Sequence, residues 1–289
     1  MTSAFFSLAP GRDVRSEELL PHAPSGSGWG SEHMRGMAVS GALARAAERA
    51  VEALGRQDLQ PVRWTLDLFR PAGMKPSVTS TTVVREGRRL CLVDAVMTQD
   101  GEAVARASAL YLSPTTTPEG IVWASGNSPQ PPHDDCRRSA GSSERLYYSA
   151  GAGWTPPADA PQNGDRKQIW QFAIPVVEGE ALTAFQMAAS VADAANVVSN
   201  LGSAGLEYIN ADVTLALARL PEGLELGLAA LDRSEQHGIS VGTGLVFDRL
   251  GVVGSVTVSA VGNARRAVDL RMFGHGDDAR GQPKSGAAT

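Results

Sequence analysis

The chain has 289 residues, 43% hydrophobic and 20% charged, with a formal net charge of −5. That composition supports a packed core and excludes global disorder, while the acidic balance and the lack of a dominant basic stripe argue against nucleic acid as a partner. Two cysteines, Cys91 and Cys136, give no CxxC or Cys/His spacing, so neither a zinc site nor a disulfide framework is expected, and a reduced, cytoplasmic setting fits.

The N-terminus lacks a charged region followed by a long apolar run, so no signal peptide is expected. No apolar stretch reaches the ~18 residues of a membrane span. Ala4–Leu8 reads as a short strand ended by Pro10-Gly11, and the Gly-, Ser- and Pro-rich residues 21–30 read as loop. A first helix is expected over Met34–Ala53, with Gly55 as its C-terminal cap. Its early positions are small (Gly36, Ala38, Gly41, Ala42). Glycine inside a helix costs ~1 kcal/mol relative to alanine, so Gly36 and Gly41 point to a close backbone approach, by a sheet or by a ligand. His33, just before this helix, is a candidate ligand contact or base, or an ordinary loop residue.

Alternation then predicts strands over Arg63–Arg70, Val78–Arg85, Leu90–Gln99 and Ala103–Leu112, with tight turns at Glu86-Gly87 and Asp100-Gly101. Asp67 and Arg70 read as a structural ion pair ahead of a catalytic pair. Residues 113–166 shift to Pro, Ser, Gly, Thr and Asp, the composition of a linker. The segment is longer than the ~12–15 residues usual for structureless loops, so parts of it are expected to dock on the sheet or to move. Leu146-Tyr147-Tyr148 reads as a docked turn within it, and Ile169–Ile174 as a strand beyond it.

A second helix over Thr183–Asn200 carries Asp193 among alanines and valines, and the long strand Tyr208–Leu220 follows. On that strand Asn210 and Asp212 share one parity, one pleat apart, so both can aim at one point. Strands over Leu224–Asp232, Ile239–Asp248 and Val252–Val261 complete the pattern. A basic, strand-like stretch is expected up to Phe273, and residues 275–289 read as a flexible tail.

The chain repeats itself 150 residues on. Met37-Ala-Val-Ser40 returns as Met187-Ala-Ala-Ser190, Pro71-Ala-Gly73 as Pro221-Glu-Gly223, and Gly101 as Gly251. Each unit reads as a long helix followed by antiparallel strands, which is an α+β architecture. The units are residues 1–112 and 167–274, and pairing their edge strands into one sheet would hide those edges. No GxSxG elbow, P-loop, dinucleotide fingerprint or metal-ligand spacing is present. Asp212 with its polar neighbours is left as a candidate general base, and the small-residue helix starts as a place where backbone amides reach an oxyanion.

Several segments resemble the acyl-CoA thioesterase II-like, double hot-dog family. In the first half these are Leu68-Phe-Arg-Pro71, Val83-Val-Arg-Glu-Gly-Arg-Arg89 and Ala105-Arg-Ala107. In the second they are Trp170, Pro175-Val-Val-Glu-Gly179, Ala192-Asp193, Asn210-Ala-Asp-Val-Thr214 and Gly251-Val-Val-Gly254. The resemblance implies a double hot-dog fold, hydrolysis of acyl-CoA or an acyl-carrier thioester without metal or other cofactor, and a homo-oligomer. It maps a catalytic Asp to Asp212 and a Thr or Ser to Ser234; His33, Gly36, Asp193 and Asn210 are the candidate substrate contacts read from the chain itself. The family Gln falls on Val258 or Ser259. That departure leaves open a non-catalytic acyl-thioester binder of the same fold. An enoyl-thioester hydratase ranks behind both, because no His follows Asp193 in Asp193-Ala-Ala-Asn196.

Overall fold

The structure, a computed structural model, describes residues 4–9, 17–123, 126, 128–136 and 145–273. The expected tail at 275–289 lies outside the described residues, as do parts of the linker.

The elements that position the site are β1 (Phe6–Leu8), β2 (Glu18–Pro21), α1 (Gly36–Ala53), β3 (Gln60–Leu68), β4 (Ser77–Glu86), β5 (Leu90–Gln99) and β6 (Glu102–Leu112). They continue with β7 (Arg145–Ser149), β8 (Gly153–Thr155), β9 (Gln168–Phe172), α2 (Ala184–Ala192), α3 (Ala195–Asn200), β10 (Tyr208–Asn210) and β11 (Asp212–Leu217). The last three strands are β12 (Glu225–Gln236), β13 (Ile239–Asp248) and β14 (Gly251–Gly262). One antiparallel sheet of 14 strands runs β1-β2-β4-β5-β6-β3-β11-β14-β13-β12-β9-β7-β8, with β10 also paired to β14. The runs β4-β5-β6-β3 and β12-β13-β14-β11 share one order, in which the long strand after the helix pairs with the last strand of the run. They meet where β3 pairs with β11, Trp64 opposite Leu215 and Asp67 opposite Asp212.

The helices cover one face of this sheet. Ala38, Ala42, Ala44 and Ala47 of α1 are fully buried, and their small side chains let α1 cross close to α2. At the crossing the Ser40 hydroxyl donates to the Ala189 carbonyl at 2.6 Å and accepts from Trp64 Nε1 at 3.0 Å. Trp64 also packs edge-on against Phe185, with ring centroids 5.7 Å apart. Helix α2 starts on an N-cap: the Thr183 hydroxyl accepts from the Gln186 N–H at 3.1 Å and donates to the Glu48 carboxylate of α1.

Several expectations are corrected by packing. The single helix expected over Thr183–Asn200 is broken at Asp193-Ala194 into α2 and α3. Beyond the break, Asn196 donates to the Tyr208 carbonyl and Asn200 to Asn196, while Ser240 and Arg233 both donate to Asn200. This polar set turns the second segment onto the sheet. The strand Tyr208–Leu220 is interrupted at Ala211. Leu146–Tyr148 belongs to a strand, β7, that pairs with β9 on one side and β8 on the other and so extends the sheet. The stretch after Gly262 forms short 3-10 turns at Ala264–Arg266 and Leu270–Phe273. Asp67 and Arg70 do not pair with each other. Asp67 takes Arg106 at 3.0 Å and Arg70 takes Glu102, because neighbouring strands place those side chains directly alongside.

Candidate active site

Asp193 sits at the break between α2 and α3 and faces the first turn of α1. An added Cβ on Gly36 would lie 2.3 Å from Asp193 Oδ1 and 2.6 Å from Oδ2. A glycine is therefore what lets this carboxylate lie against the helix start. The Met37 backbone N–H donates to it, and the N-terminal amides of a helix favour an anion. From β10, Asn210 Nδ2 donates to Asp193 Oδ1 at 3.0 Å. Arg145 on β7 lies close by: its guanidinium is buried, donates to Gln171 Oε1 at 2.8 Å and touches Met37 Sδ at 3.0 Å. Burial pushes the Asp193 carboxyl up from its ordinary value, against the opposing pull of Asn210, Arg145, the Met37 amide and Arg35. A half-buried carboxylate with a raised pKa is poised to take a proton.

Asn210 and Asp212 do not converge. From Asn210, opposite Ala260, to Thr214, opposite Thr257, the strand β10–β11 carries one residue more than β14. The extra residue makes a bulge at Ala211, whose N–H donates to Ser259 and whose carbonyl accepts from Leu68. Asp212 Oδ1 accepts from the Ser259 N–H at 2.6 Å and stands in for a missing ladder carbonyl. Its carboxylate is thus engaged in holding the bulge, and the bulge turns Asn210 toward Asp193. Alternation alone could not reveal this, because a single inserted residue reverses every side chain beyond it.

Gly36, Asp193 and Asn210 form one cluster, whereas Ser234 and His33 lie elsewhere. Ser234 is exposed on β12, three strand positions from Asp212 across β13 and β14, or roughly 14 Å at the usual strand spacing. His33 lines an open groove of about 600 Å³ with Glu32, Arg70, Lys75, Gln99 and Glu102. Ser259, one of the two positions where the family Gln was expected, lies beside Asp212 through its backbone. Sequence reading missed Arg145, since it falls in linker composition. Its signal was the apolar Leu146-Tyr147-Tyr148 run beside it. Among the described residues no three His, Cys, Asp or Glu side chains come together as a metal-ligand set, and no helix is long and apolar enough to cross a membrane.

A large antiparallel sheet wrapped on a buried helix fits a hot-dog fold. Residues 26–112 match the family model of the acyl-CoA thioesterase N-terminal domain. Among solved structures, the TesB protein of Mycobacterium avium subspecies paratuberculosis is 16% identical, with a TM-score of 0.59 over 88% of this chain and 95% of that one. Acyl-CoA thioesterase II TesB2 of Mycobacterium marinum is also 16% identical, with a TM-score of 0.58 over 89% and 94%. A hot-dog protein of unknown function from Alicyclobacillus acidocaldarius is 17% identical, with a TM-score of 0.58 over 89% and 95%. No curated protein sequence matches the chain. The family match thus covers residues 26–112, and the solved structures share the fold along nearly nine-tenths of the chain.

Proposed function

We propose that the protein hydrolyses acyl-CoA or a related acyl thioester, with Asp193 as the residue that directs water at the thioester carbonyl. The observation that carries this reading is the meeting of Asp193 with the glycine start of α1 and with Asn210. Asp193 in its ionised form accepts a proton from a water molecule as that water attacks. Asn210, whose amide nitrogen donates to Asp193 and, at 3.4 Å, to the Asp212 carbonyl, orients the carboxylate. The tetrahedral intermediate then expels the CoA thiolate, which takes up the proton held by Asp193 and leaves as free thiol. The reaction as proposed calls on no metal and no other cofactor.

The same reading assigns two hot-dog units, residues 1–112 and 167–274, joined by the linker 113–166, in a cytoplasmic homo-oligomer. The shared strand order of the two sheet runs supports the two units. Ser234, exposed on β12, is given no part in the proposed chemistry. The non-catalytic binder remains the competing reading, because Ser259 or Val258 stands where the family has Gln.

The test is thiol release, followed with a thiol-reactive dye, across acyl-CoA substrates from acetyl to palmitoyl. Turnover with at least one of them is expected. Saturable acyl-CoA binding with no release at any chain length would replace the hydrolase with the binder.

A further inference from the structure

Arg145 is a buried cation short of acceptors. It opens β7 opposite Gln171 of β9 and is 8% exposed. A guanidinium stays ionised and carries five N–H donors. Among the described residues this one makes two bonds: Nε donates to Gln171 Oε1 at 2.8 Å, and Nη2 meets Met37 Sδ at 3.0 Å. A thioether is a weak acceptor. Nη1 makes no bond among the described residues, yet it is not sealed in as an orphan atom. Burying such a charge with neutral acceptors alone is costly. The cation is nevertheless held in place. Gln171 Nε2 donates to the Phe172 carbonyl at 2.9 Å, which leaves Gln171 Oε1 turned to Arg145, and the Tyr147 ring centre lies 5.9 Å from Arg145 Cζ.

Met37 joins this cation to the proposed reaction centre. Its backbone N–H donates to the Asp193 carboxylate while its sulfur touches Nη2, and the Arg145 charge acts on Asp193. Attack of water on a thioester pushes the carbonyl π pair onto oxygen, and that oxyanion needs donors. The Met37 amide is engaged with Asp193. Asn210 Nδ2 serves both Asp193 Oδ1 and the Asp212 carbonyl. Arg145 keeps N–H groups that nothing else claims.

We infer that Arg145 is the oxyanion donor of the Asp193 site, with Nη1, and Nη2 once the Met37 sulfur yields, donating to the thioester carbonyl oxygen. The inference rests on the hydrolase reading. Water gives a proton to Asp193 as its oxygen bonds the carbonyl carbon, and the displaced π pair forms the alkoxide that Arg145 holds. The pair then returns, the C–S bond breaks, and the thiolate takes the proton from Asp193. Arg145 keeps its own protons throughout. Methionine side chains repack readily, and a cavity of about 10 Å³ bordered by Met37, Met187 and Gln171 gives the sulfur room to yield.

The test measures kcat and KM for thiol release by wild type, Arg145→Gln and Arg145→Lys, over a pH range that reaches the level part of the profile. On that plateau Asp193, which faces the charges of Arg145 and Arg35, is ionised in every protein, so a slower rate there is not a loss of base. The plateau kcat of Arg145→Gln should fall by about a hundredfold or more, the range for removal of one oxyanion donor, with KM little changed. A plateau kcat equal to wild type, or a loss confined to KM, would overturn the inference. If Arg145→Gln does not fold, Arg145→Lys decides: a compact ammonium does not reproduce the guanidinium fork, so its plateau kcat should also fall, and full rate would overturn the inference. A binding arm covers the case in which wild type releases no thiol from any substrate. It compares a ketone analogue, in which CH2 replaces the thioester sulfur, with an S-alkyl-CoA that lacks the carbonyl, by calorimetry. If wild type binds the ketone more tightly and the Arg145 variant binds the two alike, the carbonyl contact stands and the hydrolase reading falls. Equal binding by wild type, or a preference unchanged in the variant, would remove both.

Discussion

At the scale of single residues, Asp193 carries opposing demands. Burial raises its pKa, so at neutral pH the fold holds a charge that its surroundings disfavour. The native state binds more protons than the unfolded state between the ordinary aspartate pKa and the raised one, and stability therefore falls as pH rises through that window. Asp193→Asn keeps an acceptor for Met37 and Asn210 and removes the charge. Its melting temperature should exceed that of wild type at neutral pH, and the gain should vanish as pH falls toward the ordinary carboxylate range. Thermal melts of both proteins across pH check this, and a variant less stable than wild type at pH 7 would contradict it. Asp248 shows the opposite case. Burial alone would raise its pKa, yet Arg219 at 2.6 and 2.7 Å and the N–H groups of Glu222 and Leu250 hold it below the ordinary value. Its contribution is present above the unfolded pKa and is lost as pH falls through the depressed one. Asp248→Ala should cost about 3 kcal/mol at neutral pH, because two backbone donors and an arginine lose their acceptor together. Denaturant titration at neutral and acid pH measures this, with the difference from wild type shrinking in acid.

At the scale of elements, the site depends on two interruptions: the break after α2 and the bulge at Ala211. The first frees Asp193 to meet α1 and the second turns Asn210 inward. Gly36→Ala forces the Asp193 carboxylate to move, since the new methyl overlaps it. Thiol release should drop by about a hundredfold, as for a reacting group displaced by an ångström, while circular dichroism and the melting transition stay close to wild type. Full activity in Gly36→Ala would show that the contact is not part of the site. Much of this was legible in the sequence. The small-sided start of the first helix signalled close approach, the repeat pointed to two similar successions of helix and strands, and Asp193 stood out on an apolar helix. The roles were harder to read. Helical periodicity runs straight through Asp193-Ala194, and strand alternation runs straight through Ala211, so neither interruption leaves a local mark. Each is imposed by distant partners: the polar Asn196, Asn200 and Ser240 set for the helix, and Leu68 and Ser259 for the strand. For that reason Asp212 looked like the base, although its carboxylate braces the ladder.

At the scale of the whole molecule, the two sheet runs share a core and cannot easily part. The central pairing of β3 with β11 places Trp64 beside Leu215, and Trp64 reaches α1 through Ser40 and α2 through Phe185. The N-terminal strand ties the ends together further: Phe5 and Phe6 donate to Pro175 and Val176, and Glu178 donates back to Phe6. Unfolding should therefore be one cooperative transition, with coincident curves from tryptophan fluorescence and far-ultraviolet circular dichroism. Two separated transitions would show that the halves are independent.

The central claim is that Asp193, and not Asp212, directs the water. The most direct measurement is thiol release from the best acyl-CoA substrate by Asp193→Asn and Asp212→Asn, each beside wild type. Asp193→Asn is expected to lower kcat by a factor on the order of a hundred to ten thousand, as for loss of a general base. Asp212→Asn should retain most of the turnover and lose stability instead. Turnover that survives Asp193→Asn and disappears in folded Asp212→Asn would contradict the account and move the base to the strand.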